Sequence, residues 1–232
     1  VKSRRLGRSL GVSLTPYKTC SFDCVYCQLG KTSALTSSGK ECLGIYDIVN
    51  ELVSWVKNNP GEEKELDYIT LSGSGEPTLN SKIGELIGQI KKISSVKVAV
   101  ITNSSFLSDK DVRKSISGAD LIVPSLDAVT DDVFRLIDRP HPDIKIKDVI
   151  EGLINLRKEY KGPIWLEIML VKGINDSPDY IRKIKEVIDK INPDKIQINS
   201  PVRTTTEKEI LPPDENVLRE IKEILGSNAE VV

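Results

Sequence analysis

The 232-residue chain has one histidine (His141), one methionine (Met169) and few aromatic residues, 5% in all. A single histidine excludes every His-rich metal site and most Ser-His-Asp or Cys-His catalytic arrangements. No apolar run reaches the roughly 18 to 20 residues that a membrane span requires, so no membrane association is expected. The start, Val1 to Leu10, is basic and lacks the apolar block of a secretory signal. Net charge is only −1, which argues against a sequence-wide nucleic-acid surface while leaving room for a local patch. The hydrophobic fraction is an ordinary 39% and the charged fraction 29%, mixed in sign, so the chain is not of a disordered type. It reads as a single globular domain over residues 1–232. A Val start and a Val-Val end suggest trimming at one or both ends, and a C-terminal extension is expected.

Six apolar runs of strand length stand at Gly11–Leu14, Asp67–Ser72, Val96–Thr102, Asp120–Asp127, Ile164–Val171 and Asp194–Asn199. Helical periods separate them, for example Ile181, Ile184, Val187, Ile188 and Ile191 on one face. Shorter helices are expected near Asp109–Ser117 and Thr130–Ile137, and Ser108, Ser177 and Asp214 read as N-caps. Strands that alternate with helices imply an α/β fold with a parallel sheet and helices outside it. Six units in about 220 residues fall short of the roughly 250 of an eightfold barrel, so a partial (βα)6 barrel or an open sheet fits. Residues 28–44 form a Gly/Ser/Thr-rich loop, and Ala229–Val232 looks like the start of a further strand.

Residues two apart share a strand face. Trp165, Glu167 and Met169 oppose the aliphatic Leu166, Ile168 and Leu170. Lys195, Gln197 and Asn199 oppose Ile196 and Ile198, and Tyr68, Thr70 and Ser72 oppose Ile69 and Leu71. A polar inner face is wrong for a filled barrel core and right for a hydrated lumen that takes a polar ligand. Simple solvent exposure is the alternative, against the rule that parallel sheets are covered on both faces. Every strand end is polar or Gly-rich, which points to one rim where ligands bind.

Three of the four cysteines, Cys20, Cys24 and Cys27, lie within eight residues, and Cys42 lies apart. This is not the even, spread set of a disulfide framework and reads as a reducing, cytoplasmic protein. Three thiolates can wrap one soft metal centre. Iron–sulfur clusters normally take four, so three leave one iron open for cofactor or substrate. The alternative is zinc, with Cys42 or His141 as fourth ligand, although only one C-x2-C pair is available. Gly73 and Gly75 do not make a dinucleotide fingerprint, and no Gly-Lys-Ser/Thr follows to make a P-loop.

Cys20-Ser21-Phe22-Asp23-Cys24-Val25-Tyr26-Cys27 resembles the hallmark of the radical S-adenosylmethionine (SAM) superfamily. Gly73-Ser74-Gly75-Glu76-Pro77 is similar to its Gly-Gly-Glu-Pro segment, with a Ser in place of one Gly. Ser125 and Asp127 match its ribose motif on the fourth strand, and Thr102 and Asn103 a Thr-Asn element at the third. The Ser3–Gly11 stretch and the Val171–Asp176 segment look like a short subgroup related to wyosine-type tRNA-modifying enzymes. The resemblance implies a [4Fe-4S] cluster on Cys20, Cys24 and Cys27. It also implies SAM held by Tyr26, Gly73, Gly75, Glu76, Thr102, Asn103, Ser125, Asp127 and Met169. Reductive cleavage would then give a 5′-deoxyadenosyl radical that abstracts hydrogen from substrate.

Glu167, Lys172, Gln197, Asn199 and Arg203 are candidate substrate contacts, and Glu167 and Gln197 read equally well as buried hydrogen-bonding groups. Lys172 and Arg203, at strand ends, suit a carboxylate. Arg4, Arg5 and Arg8 read as a solvated tail or as an anion contact. Arg139 and His141 meet substrate or only cap a turn. The expected partners are a flavodoxin- or ferredoxin-type electron donor and a tRNA, protein or small-metabolite substrate. The competing reading is a non-catalytic zinc- or cluster-binding module.

Overall fold

The strand-like runs pair in sequence order. In the computed structural model, described for residues 1–39, 42–202, 205–207 and 209–232, seven strands lie side by side. They are β1 (Gly7–Val12), β2 (Tyr68–Leu71), β3 (Lys97–Thr102), β4 (Leu121–Pro124), β5 (Trp165–Met169), β6 (Lys195–Asn199) and β7 (Ala229–Val231). All pairings among them are parallel, with Leu10 opposite Ile69, Ile69 opposite Val98, Val100 opposite Ile122 and Ile196 opposite both Leu166 and Ala229. Between β4 and β5 the ladder thins to bridges at Ile122–Ile164 and Ser125–Glu167. The sheet curls there into a half-barrel. A two-residue strand, Lys2–Ser3, adds antiparallel to β1 at the edge, so the sheet is mixed.

Among the described residues eight helices connect the strands: α1 (Ile45–Asn58), α2 (Pro60–Lys64), α3 (Ile83–Ile93), α4 (Lys110–Ile116), α5 (Asp131–Ile137), α6 (Ile146–Glu159), α7 (Pro178–Ile191) and α8 (Glu215–Leu225). Ile181, Ile184, Ile188 and Ile191 of α7 are all buried, the stripe that a 3.6-residue period produces. They belong to one continuous core with Ile69, Val98, Val100, Ile122, Leu166, Ile168, Ile196 and Ile198 of the sheet. Each fully buried aliphatic side chain contributes about 1.5–3 kcal/mol, and this shared outer layer carries most of the stability. Among the described residues no helix is long and apolar enough to cross a membrane.

Three expectations shift. The first strand begins at Gly7 and ends at Val12, not Gly11–Leu14. Its period-2 pattern keeps Leu10 and Val12 packed against the helix-side core, while the Ser9 hydroxyl bonds that of Thr70 at 3.0 Å on the other face. Leu14 leaves the sheet yet stays buried. The N-cap of α4 is Asp109, which accepts from the Asp111 N–H, rather than Ser108. Asp214 precedes α8 as expected, but its carboxylate takes both short contacts from Lys172 and makes no cap bond. The further strand at the C-terminus is present as β7.

The inner face is polar and covered. Thr70, Glu167, Gln197 and Asn199 are all buried, which removes the reading of a solvent-exposed sheet. Below them Leu6 inserts among Ala99, Leu121 and Val123, with Tyr68, Ile101 and Trp165 around it. The N-terminal hairpin thus enters the lumen. Arg4 spans the open seam of the half-barrel, donating to the Val232 carbonyl at 3.0 Å and to Asn199 Oδ1 at 3.1 Å.

Candidate active site

The loop after β1 brings the three cysteines to the rim. Thr19–Cys20 pairs in parallel with Ala34–Leu35, which fixes Cys20. A tight turn follows, with Cys27 N–H donating to the Cys24 carbonyl at 3.1 Å. The residues after α5 hold the loop from outside. Asp23 N–H reaches the Asp138 and Arg139 carbonyls, Val25 N–H the Ile137 carbonyl, and His141 N–H the Ser21 carbonyl. Phe22 packs edge-on against Phe134 at 5.3 Å. Beyond β6 the chain folds back over the loop, where Thr206 Oγ1 donates to the Cys27 carbonyl and Glu207 N–H to the Val25 carbonyl.

All three cysteines are half-buried and none is in a disulfide. Asn103 Nδ2 lies 3.6 Å from Cys20 Sγ, Cys24 Sγ 3.6 Å from Asp138 Oδ1, and Lys18 Nζ 3.0 Å from Cys27 Sγ. Burial, aided by Glu76, pushes the Cys20 thiol up to about 11. Burial and Asp138 push Cys24 well above the usual thiol range. Bare, these groups hold their protons, and a bound cation is what makes the thiolates stable. Among the described residues no three Cys, His, Asp or Glu side chains converge on one ion position. That disfavours one zinc with Cys42 or His141 as fourth ligand. Three soft donors on one loop fit a polynuclear iron–sulfur centre with an open iron.

The loop after β2 is shaped by close approach. Gly73 has φ +117°, and a Cβ there would sit 2.5 Å from Ser13 Oγ. A Cβ at Gly75 would lie 1.8 Å from the Thr19 carbonyl oxygen, so the backbones of the two loops touch. Glu76 N–H donates to that same carbonyl at 3.2 Å. The buried Glu76 carboxylate accepts from Thr78 N–H at 3.1 Å, Thr78 Oγ1 at 2.5 Å, Thr102 Oγ1 at 2.6 Å and Asn103 N–H at 2.8 Å. Burial pushes its pKa up, and these donors oppose the shift. Glu76 therefore clamps the β2 and β3 ends together.

Tyr26, Asn103, Ser125 and Asp127 converge with Phe22 and Asp138 around one narrow pocket. Asp127 Oδ1 accepts from Met169 N–H at 2.7 Å, and Oδ2 takes a short hydrogen bond from the Tyr26 hydroxyl. Burial pushes Asp127 up to about 7 and Asp138, with Asp127 beside it, well above the carboxylate range. A separate cavity of about 240 Å³ is lined by Ser3, Arg4, Arg5, Ser9, Thr70, Ser72, Asn199 and, from the cysteine loop, Gln28. Glu167 pairs with Arg5 in the lumen. Gln197 Nε2 donates to the Arg5 carbonyl and to Glu230, and its Oε1 is buried without a partner.

Of the remaining sequence candidates, Lys172 lies away from this group, half-exposed in its pair with Asp214. Its strand end turns outward, where the α8 start supplies the acid. Arg203 lies outside the described residues. Arg139 pairs with Glu207, and His141 lies 3.4 Å from Asp143. Sequence reasoning missed Asn175. Its buried amide accepts from Val171 N–H and donates to the Asp127 and Met169 carbonyls, all at 2.8 Å. It ties the β4 and β5 ends together, and the Lys172-Gly173-Ile174-Asn175 turn, with Gly173 at φ +75°, was the available signal. Lys18 and Asp138 were also missed.

The Radical SAM superfamily model matches residues 14–188. The chain belongs to the radical SAM superfamily. It is 37% identical over 235 residues to a UPF0026 protein of Methanocaldococcus jannaschii, across 98% of this chain and 71% of that one. A UPF0026 protein of Synechocystis is 35% identical over 204 residues, across 88% and 74%. A Brachyspira hyodysenteriae protein named GTPase Obg is 38% identical over 231 residues, but this chain spans only 33% of its length. The fold matches a radical SAM methyltransferase of Sphaerobacter thermophilus with TM-score 0.72 at 18% identity, covering 97% of this chain and 65% of that one. It also matches TYW1 with a lysine-pyruvate adduct bound (0.66, 19%, 95% and 70%). At such identities these two show the fold alone, a radical SAM half-barrel. As a superfamily member this protein is an enzyme that uses a [4Fe-4S] cluster and SAM.

Proposed function

We propose that Cys20, Cys24 and Cys27 hold the cluster, and that SAM lies across the adjoining rim between the Gly73–Gly75 loop and the Tyr26–Asn103–Ser125–Asp127 pocket. Bound there, the cluster and SAM would supply the reducing electron and the radical chemistry of the superfamily, directed at a hydrogen atom of the substrate. The observation that carries the reading is that one loop holds three half-buried thiols outside any disulfide, with Cys20 and Cys24 each 3.6 Å from a residue of that pocket, Asn103 and Asp138. The chain's own part is to bind, orient and keep dry. Glu76 fixes the two loops that flank SAM. Asp127, accepting from Tyr26, positions a hydrogen-bonding carboxyl where a ribose hydroxyl would meet it. Leu6 and the segment over the cysteine loop close the site from below and above. A low-potential donor of flavodoxin or ferredoxin type delivers the electron.

The substrate's reacting group enters the lumen cavity. At about 30 Å³ per water, the cavity of about 240 Å³ takes one small polar molecule or the reacting end of a larger one. Arg4 lines that cavity, and its guanidinium can receive an anionic group, a carboxylate or phosphate. Asn199 completes the polar wall, and Glu167 and Gln197 bond Arg5 behind it.

The test is oxygen-free reduction of the protein with SAM, reading 5′-deoxyadenosine. Wild type forms it and Cys24→Ala does not. Equal formation by both refutes the assignment of the cysteines. SAM binding absent from a metal-loaded protein would favour a non-catalytic module.

A further inference from the structure

Lys18 is the least expected residue of the cysteine loop. Its side chain is buried, with the residue only 3% exposed, and lysine is almost never buried without a partner. Among the described residues no carboxylate pairs with it; its Nζ points to Cys27 Sγ at 3.0 Å. Its backbone has φ +55°, a region that side-chain-bearing residues rarely occupy and that persists only where the surroundings impose it. Here they do. Lys18 N–H donates to the Ser74 carbonyl, and the Lys18 carbonyl accepts from Ser33 and Ala34 N–H. The Gly-Ser-Gly-Glu-Pro loop and the strand beside Cys20 thus lock the one conformation that aims this ammonium at a cysteine sulfur. The acids nearby act in the opposite sense: Glu76 acts on Cys20, and Asp138 and Asp127 act on Cys24.

We infer that Lys18 is a positioning residue for charge, acting through Cys27 to make the cluster easier to reduce. This rests on the reading of Cys27 as a cluster ligand. Three thiolates around a core of two positive charges carry one net negative charge, and one added electron doubles it. No bond or proton moves in that step; the electron comes from the low-potential donor. A buried cation against one thiolate stabilises the more negative state more, and charge and hydrogen bonds at the sulfurs are what set such potentials. The desolvated ammonium also finds in the loaded site the counter-charge that no described carboxylate provides.

The experiment is a spectroscopic redox titration of the reconstituted protein, following the reduced-cluster signal, for wild type, Lys18→Met and Lys18→Arg. Iron and sulfide analysis of wild type tests the ligand reading separately. Lys18→Met should hold the same iron and show about a tenfold lower reduced-to-oxidised ratio at fixed potential, a shift of about 59 mV downward for one electron. Lys18→Arg, which keeps the charge, should stay at the wild-type potential. If Lys18→Met fails to load but Lys18→Arg loads at that potential, the charge is still what the cluster requires. The inference is overturned if Lys18→Met loads and keeps the wild-type potential. It is equally overturned if Lys18→Arg fails to load or shifts as far as Lys18→Met, since Lys18 would then only pack the loop.

Discussion

Gly75→Ala tests the contact on which the site geometry rests. The new Cβ would stand 1.8 Å from the Thr19 carbonyl oxygen, where ordinary contact begins at 3.4 Å, and 2.8 Å from Thr15 Oγ1. A backbone oxygen cannot rotate away as a side chain would. To clear the methyl group, Thr19 must move well over an ångström, and it is joined to Glu76 N–H, to the Ala34 strand and directly to Cys20. Losing the Glu76 bond costs about 1 kcal/mol, and leaving its N–H unsatisfied adds about 1–3 kcal/mol. A domain of this size loses about 2–4 °C of Tm per kcal/mol, so Gly75→Ala should melt roughly 5–15 °C lower and retain less iron after reconstitution. Gly88 is the control. It lies exposed in α3 with nothing within 4 Å of a Cβ, so Gly88→Ala should raise stability by about 0.5–1 kcal/mol. Wild-type melting and wild-type iron content in Gly75→Ala would refute the reasoning.

Asn175→Ala removes the amide that joins the β4 and β5 ends and strands the Val171 N–H and two carbonyls. Its urea midpoint should fall by the equivalent of about 3 kcal/mol with an unchanged m-value; a change below about 1 kcal/mol would contradict the hydrogen-bond accounting. Asp127 gives the cluster-free protein a pH dependence. Its folded pKa, about 7, lies above the unfolded value of about 3.9, so in that window the folded state binds the extra proton. Stability is therefore fully present below about pH 4 and falls as pH rises to about 7. Asp138, raised for the same reasons, adds in the same sense. Melting curves between pH 5 and 8 should show the decline, and Asp127→Asn should flatten it; a wild-type Tm that rises over this range would refute the sign.

Periodicity made the helix faces legible because the outer core is built from local repeats: the stripe of α7 and the alternation of β5 and β6 report directly which side meets the sheet. The cysteine spacing is likewise local. What stayed hidden depends on distant chain ends meeting. Arg4 and Arg5 look like a solvated tail until the hairpin is seen entering the lumen, where Glu167 and Asn199, more than 160 residues away, receive them. Lys172 sits at a strand end as expected, but no local pattern reveals that Asp214 lies outside it. Lys18 reads as an ordinary loop lysine, since neither its burial nor its left-handed backbone has a composition signal. Glu167 and Gln197 are the buried hydrogen-bonding groups that one of the two readings expected, tied to Arg5 of the N-terminal hairpin.

The most direct test is the metal content of protein purified without oxygen. The account predicts about four irons with matching sulfide per chain, the content of a cubane cluster, lost when Cys20, Cys24 or Cys27 is changed to alanine. One zinc and no sulfide would contradict it and turn the three cysteines into a structural clip.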